Sequence, residues 1–298
     1  MGRLQRAVRL AGMAVVFAGT AAAAPLLDWP DLLARPMPQP TREFAYGAAA
    51  LQVADLWLPA GKGPFPVVLM VHGGCWRSGV AKLTIMNYAA EDLRRRGIAV
   101  WNVEYRGVDR PGGGYPGTFQ DVAAGADKLA AIAPAYHLRT GHVVAFGHSA
   151  GGHLALWLAA RPRLPASSPL RSANPLPIAA VVSSGGLPDL EAVRSQDICG
   201  ADNVAKLVGS PSPSRPDVYA DTSPAELGAG RDVEQLISGE EDPLAPPALA
   251  DAYAAKMKRQ GARISALSVP DTGHVELISP GAAAWARTVT TIEALLRR

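Results

Sequence analysis

Short runs of apolar, often β-branched residues alternate with longer segments of mixed polarity along most of the 298-residue chain. Thr41–Tyr46 and Leu51–Leu58 read as a hairpin pair. Val67–His72, Ile98–Glu104, His142–Gly147, Ile178–Ser183, Val233–Ser238 and Ile264–Val269 read as further strands. Between them, residues 84–96, 118–133, 150–161, 246–260 and 281–297 have the pattern of helices. Strands separated by helices of about 10–15 residues make βαβ units. The pattern predicts one α/β domain over residues 41–298: a mostly parallel eight-stranded sheet, its first two strands antiparallel, with helices on both faces.

Three stretches break the alternation. Residues 24–40 hold five prolines and are expected to form an extended lead-in. Residues 162–177 hold five more, and residues 184–232 separate the sixth strand from the seventh. Long insertions in compact domains are often binding loops or lids. The second leaves the carboxyl end of a strand, where open α/β sheets bind ligands, so it is expected to be a lid.

Residues 1–23 have the order of a secretory signal: Arg3, Arg6 and Arg9, an apolar run from Leu10 to Phe17, then small residues with Ala21-Ala22-Ala23 as the cleavage site. The apolar run is short and alanine-rich for a membrane span, which needs about 20 strongly apolar residues; an uncleaved anchor is the alternative. The expected location is periplasmic or extracellular, with no membrane contact after cleavage. Removing the leader also changes the charge. The whole chain carries 29 basic and 26 acidic residues, and three of the basic ones are the leader's arginines. The near-neutral remainder argues against nucleic-acid binding through a basic surface. With 48% apolar and 18% charged residues, disorder is excluded as well.

Cys75 and Cys199 remain after cleavage, and sequence leaves open whether they form a bridge or stay as two buried thiols. The six histidines show no metal-ligand spacing, so neither a metal nor a cofactor is expected. Gly112–Gly117 satisfies G-x-G-x-x-G but does not open directly from a strand, and is read as a loop over a pocket.

The chemistry concentrates at Gly147-His148-Ser149-Ala150-Gly151, a G-x-S-x-G between an apolar strand and an Ala/Leu-rich helix. A sharp strand-to-helix turn lifts a serine hydroxyl above the sheet, and the helix N-terminus offers unpaired N–H groups to a developing oxyanion. His72-Gly73-Gly74-Cys75-Trp76 follows the third strand and supplies glycine-rich backbone for the same purpose. Gly74, Cys75 and Ala150 are therefore the candidate oxyanion donors. A serine nucleophile needs a base, and the base an orienting acid. His274 is the only histidine after Ser149 beyond its own helix; His153 is expected to pack or cap locally. The acid should leave the seventh strand, where Asp242 is chosen, Glu241 is the reserve and Asp271 a weaker rival. Trp76, Tyr105 and His148 are candidate pocket residues. Glu104 with Arg106 is a candidate ion pair, and Asp121 a candidate helix cap.

On these residues the chain resembles the α/β-hydrolase superfamily, and within it the esterase/lipase group with an H-G-G-x-W loop. That group includes arylformamidases, prenylcysteine methylesterases and feruloyl or acetyl-xylan esterases. The similarity runs through His72–Trp76, Asn102–Arg106, Gly147–Gly152, Asp242 and His274–Leu277. It implies that Ser149, Asp242 and His274 are nucleophile, acid and base, without a cofactor. The chain departs from the hormone-sensitive-lipase-like esterases, which carry H-G-G-G and an acid before the serine; here those places hold Cys75-Trp76 and His148. The expected activity is hydrolysis of a small or medium carboxylic ester through an acyl-enzyme. The alternatives are an arylformamidase-type amide hydrolase and a non-catalytic binding protein of the same fold. Oligomeric state is left open.

Overall fold

The computed structural model describes residues 25–298; the expected leader, residues 1–23, lies outside them. The strands are β1 (Arg42–Ala45), β2 (Val53–Trp57), β3 (Phe65–Val71), β4 (Ala99–Val103), β5 (Leu138–His148), β6 (Ile178–Ser184), β7 (Val233–Gly239) and β8 (Arg263–Val269). They form one sheet in the order β1-β2-β4-β3-β5-β6-β7-β8. β2 pairs antiparallel with both β1 and β4, and every later pairing is parallel. This is the α/β-hydrolase architecture expected from the sequence.

The helices are α1 (Trp29–Leu33), α2 (Asn87–Arg95), α3 (Gly117–Ile132), α4 (Ala150–Ala160), α5 (Leu190–Ser195), α6 (Ala201–Val208), α7 (Pro247–Arg259) and α8 (Ala283–Leu296). They cover both faces, so the central strands read as continuous apolar runs. In β3 the faces still separate by alternation. Val67, Leu69 and Val71 pack with Trp101, Phe119 and Trp157 on one side. Val68 and Met70 pack with Met86, Leu93 and Trp285 on the other. Every residue of α4 is buried, as a helix apolar on all sides requires. Its inner face lies on β5 and β6, and its outer face meets the insertion after β6.

That insertion, expected to be a lid, is packed as a cap against the core. Leu190, Val193, Val204 and Leu207 from α5 and α6 are fully buried in the same cluster as Trp76, Ala150 and Leu154. A disulfide between Cys75 and Cys199 joins it to the turn after β3. The bridge closes a loop 124 residues long, which constrains the unfolded chain by about 5 kcal/mol in the chain-entropy account.

The lead-in is not simply extended. Asp28 and Asp31 form a reciprocal capping box around α1, with Pro30 in its first turn. Leu32 is fully buried. Tyr88 Oη donates to Arg35 O at 3.1 Å and Arg35 Nη1 to Pro280 O at 3.0 Å, tying the segment to the domain.

At the amino-terminal end of β7, burial and the charge of Asp232 push the Glu234 carboxyl up to about 8. A raised acid pKa means that the folded chain holds a proton the unfolded chain has released, so stability is lost as pH rises from about 4.5 to about 8. Glu234→Gln stays neutral and will therefore melt higher relative to the wild type at pH 8 than at pH 5. Thermal melts at the two pH values check this; a difference independent of pH would refute it.

Candidate active site

All the chemistry sits at the carboxyl ends of the parallel strands. β5 ends at His148, and the chain turns through Ser149 (φ 56°, ψ −125°) straight into α4. The glycines of the motif make this turn possible. A Cβ on Gly147 would lie 2.1 Å from Gly151 O, and one on Gly151 would lie 2.1 Å from Val71 O. Ser149 N–H donates to Ser184 O at 2.9 Å, fixing the elbow to β6. Among the described residues the Ser149 hydroxyl makes no hydrogen bond, and it stands at the positive end of an 11-residue helix.

β7 and β8 deliver the other two groups. His274 Nδ1 lies 2.6 Å from Asp242 Oδ2, and both side chains are buried. The other carboxylate oxygen, Asp242 Oδ1, accepts from Leu244 N–H at 2.9 Å and Ala245 N–H at 3.0 Å. Burial raises the Asp242 pKa, but the His274 bond and charge and these two amides outweigh it. The carboxyl ends below its ordinary value and is held ionised. An ionised acceptor at Nδ1 keeps the proton on that nitrogen, so Nε2 is the free base. Glu241 is exposed and Asp271 makes no bond to His274. The sequence-chosen acid is thus the one beside the histidine.

The turn after β3 carries three successive positive φ angles: Gly74 at 105°, Cys75 at 52° and Trp76 at 55°. Among the described residues, the N–H groups of Gly74, Cys75 and Ala150 meet no protein acceptor. A Cβ on Gly73 would lie 2.8 Å from Ser149 Cβ, so this turn and the nucleophile elbow are in contact.

The three expected pocket residues are buried beside the oxyanion turn and the elbow. Trp76, Tyr105 and His148 are each at most 1% exposed. The Trp76 indole donates to His153 Nδ1 at 3.2 Å, and His153 Nε2 donates to Thr222 O at 2.9 Å. His153 therefore packs, as expected, and burial holds it neutral down to about 4. Tyr105 stacks under His72 at 4.4 Å and donates to His72 O at 3.1 Å. His148 Nε2 donates to His274 O at 3.0 Å, with the two ring centroids 4.3 Å apart. Burial, then the neighbouring His274, push the His148 pKa down to about 3, so it bridges the nucleophile and base loops as a neutral ring.

The expected Glu104–Arg106 pair does not form. The strand ends at Val103, so the two side chains no longer share a face. Glu104 bonds His72 Nε2 at 2.7 Å and accepts from Leu83 N–H at 2.9 Å, bracing the turn after β3. Burial raises its pKa, but His72 and the two backbone donors, Leu83 and Tyr105, bring it below the ordinary value. Arg106 instead makes a two-point contact with Asp121, both bonds 2.7 Å. Asp121 lies inside α3, where this pair occupies it, and not at a cap. The Gly112–Gly117 loop leads into α3; its Tyr115 N–H donates to Lys206 O of α6 at 3.1 Å. Tyr115, Ser168 and Arg215 line a cleft of about 360 Å³ that contains no member of the Ser149 constellation.

Sequence reading missed the lead-in's part in the site. Trp29 lies edge-on to His148 and His274, with centroids 6.2 and 6.4 Å away. Glu276 accepts from the N–H groups of Leu27 and Gly273, so the lead-in and the base loop share one carboxylate. The D-W-P-D capping signature could have revealed the helix, though not its contact.

The fold and this constellation define a serine hydrolase of the α/β-hydrolase class. Residues 54–257 match the BD-FAE family, and the chain belongs to that family. No curated protein matches the sequence. Among solved structures, esterase B from Lactobacillus rhamnosis superposes with a TM-score of 0.74 at 20% identity, covering 90% of each chain. A truncated carbohydrate esterase from gut microbiota gives 0.73 at 20% identity, over 88% of this chain and 100% of that one. A bacterial heroin esterase gives 0.66 at 25% identity, over 86% and 83%. Among the described residues there is no group of three or more metal-ligating side chains, and no helix long and apolar enough to cross a membrane.

Proposed function

We propose that the protein is an exported carboxylic ester hydrolase for small or medium esters, working through an acyl-enzyme on Ser149. The observation that carries this reading is the convergence of an unbonded serine hydroxyl, a His274–Asp242 pair at 2.6 Å and three unpaired N–H groups at one end of the sheet. Ser149 Oγ attacks the ester carbonyl while His274 Nε2 takes its proton; Asp242 stabilises the resulting imidazolium without taking a proton itself. Gly74, Cys75 and Ala150 donate to the tetrahedral oxyanion, each worth about 3 kcal/mol if aligned. His274 then protonates the leaving alcohol, and water repeats the sequence to release the acid. The esterase names of the solved relatives and the disulfide, which suits an oxidising compartment, support the reading.

The test is hydrolysis of p-nitrophenyl acetate, butyrate and octanoate by the mature protein, with N-formylkynurenine alongside and a labelled fluorophosphonate as probe of Ser149. Ester turnover with labelling supports the proposal. Formamide turnover alone would shift the bond to an amide, and no labelling would leave a binding protein.

Trp29 gives a second check. Trp29→Ala removes the wall against His274, and a slight misplacement of a base lowers kcat by about tenfold or more. Trp29→Phe keeps an aromatic edge there and should retain most of the rate. Equal activity of both variants with wild type would show that the contact does not position His274.

A further inference from the structure

Two L-residues, Cys75 and Trp76, sit in the left-handed region within the oxyanion turn, a conformation that persists only where the surroundings impose it. The turn across Cys75 is closed by its own hydrogen bond and tied outward at Trp76. Gly74 O accepts from Arg77 N–H at 2.9 Å, and Trp76 O from Val108 N–H at 2.7 Å, while the Trp76 indole is bonded to His153. Cys75 itself makes no backbone hydrogen bond among the described residues. Its own tie is the bond from its sulfur to Cys199.

The other end of that bond is firmly seated. Cys199 stands between α5 and α6, and its carbonyl accepts from Asn203 Nδ2 at 2.7 Å. The two helices drive Val193, Val204 and Leu207 fully into the core. The anchored end is thus joined covalently to a turn residue that makes no backbone hydrogen bond of its own among the described residues.

We infer that the Cys75–Cys199 crosslink is a positioning element for the reaction: it sets the direction of the Cys75 N–H toward the developing oxyanion, so full turnover requires the oxidised pair. This rests on the ester-hydrolase reading above. The reduced protein keeps Ser149, Asp242 and His274 and still binds ester, but its oxyanion turn is free to relax. The loss falls on kcat and not on KM, because an oxyanion donor acts on the tetrahedral oxygen more than on the bound ester. Both cysteines are partly exposed, and the reductant is a dithiol. One thiolate attacks a sulfur of the bridge, the mixed disulfide closes on the dithiol's second sulfur, and the protein is left with two thiols and the reagent as a cyclic disulfide.

The experiment measures kcat and KM for p-nitrophenyl acetate with wild type, Cys199→Ser, and wild type reduced by dithiothreitol and then reoxidised. Circular dichroism monitors the fold, and fluorophosphonate labelling monitors Ser149. The expected result is a kcat lower by about ten- to a hundredfold in the variant and in the reduced protein, KM within threefold, and recovery on reoxidation. Should Cys199→Ser fail to fold, the reduced and reoxidised wild type decides alone. A kcat indifferent to reduction, with only the melting temperature lowered, overturns the inference while labelling and turnover keep the hydrolase reading. Oxidised wild type that neither labels nor turns over overturns both.

Discussion

Ser149→Ala is expected to lower ester turnover by about 10⁴- to 10⁶-fold and to leave the protein folded. The first part follows from the absence of any substitute: removing Oγ removes the bond-forming atom, and what remains is binding and oxyanion stabilisation. The second part follows from what the side chain does not do. Its hydroxyl makes no hydrogen bond among the described residues, and the elbow is held through the Ser149 N–H to Ser184 O. Alanine takes the φ of 56° with the same strain as serine. Steady-state kinetics on p-nitrophenyl butyrate with parallel thermal melts measure both parts. A loss under tenfold would place the nucleophile elsewhere.

Asp242→Asn should cost about 10⁴-fold in kcat, whereas Glu241→Gln should stay within about twofold of wild type. The reason is one of direction. Asp242 Oδ1 accepts from two backbone amides, so an asparagine will put its oxygen there and turn its NH₂ toward His274. That NH₂ needs an acceptor, which forces the His274 proton from Nδ1 to Nε2. The base then presents a hydrogen to Ser149 where it should present a lone pair. Glu241 is one residue away but exposed, its contribution confined to a backbone bond from its N–H to Thr272 O at 3.0 Å. Comparable losses in both variants would mean that local charge, and not the tautomer, matters.

Much of this was legible in the chain because it depends on local pattern. The eight strands follow from short apolar runs between helices, and the elbow from glycines that only a strand-to-helix turn of this tightness demands. What was not legible depends on where the chain goes after an element ends. Glu104 and Arg106 are two apart, and alternation would put them on one face; β4 stops at Val103, and each finds a separate partner. Trp76, Tyr105 and His148 were placed by proximity in sequence to the site, but aromatic rings beside a buried turn are used first as its support. The pairing of Cys75 with Cys199 needed the fold of the cap, since spacing carries no information on whether two sulfurs meet. Trp29 lies in a segment whose prolines predict only an extended lead-in, yet that segment is capped, anchored and in contact with both histidines.

The cap's burial has a kinetic corollary for esters that dissolve poorly. A cover that swung open at an oil–water boundary would set its newly exposed apolar surface against oil in place of water, and the rate would rise once substrate separates into droplets. Here the corresponding helices contribute Leu190, Val193, Val204 and Leu207 to the main core and are sewn to the oxyanion turn by a covalent bond. Opening them would take four fully buried side chains out of the domain's own core, and the disulfide keeps the cap from swinging away from the turn. The rate on an ester such as tributyrin should therefore track the dissolved concentration and level off at its solubility limit, as for an enzyme of the aqueous phase.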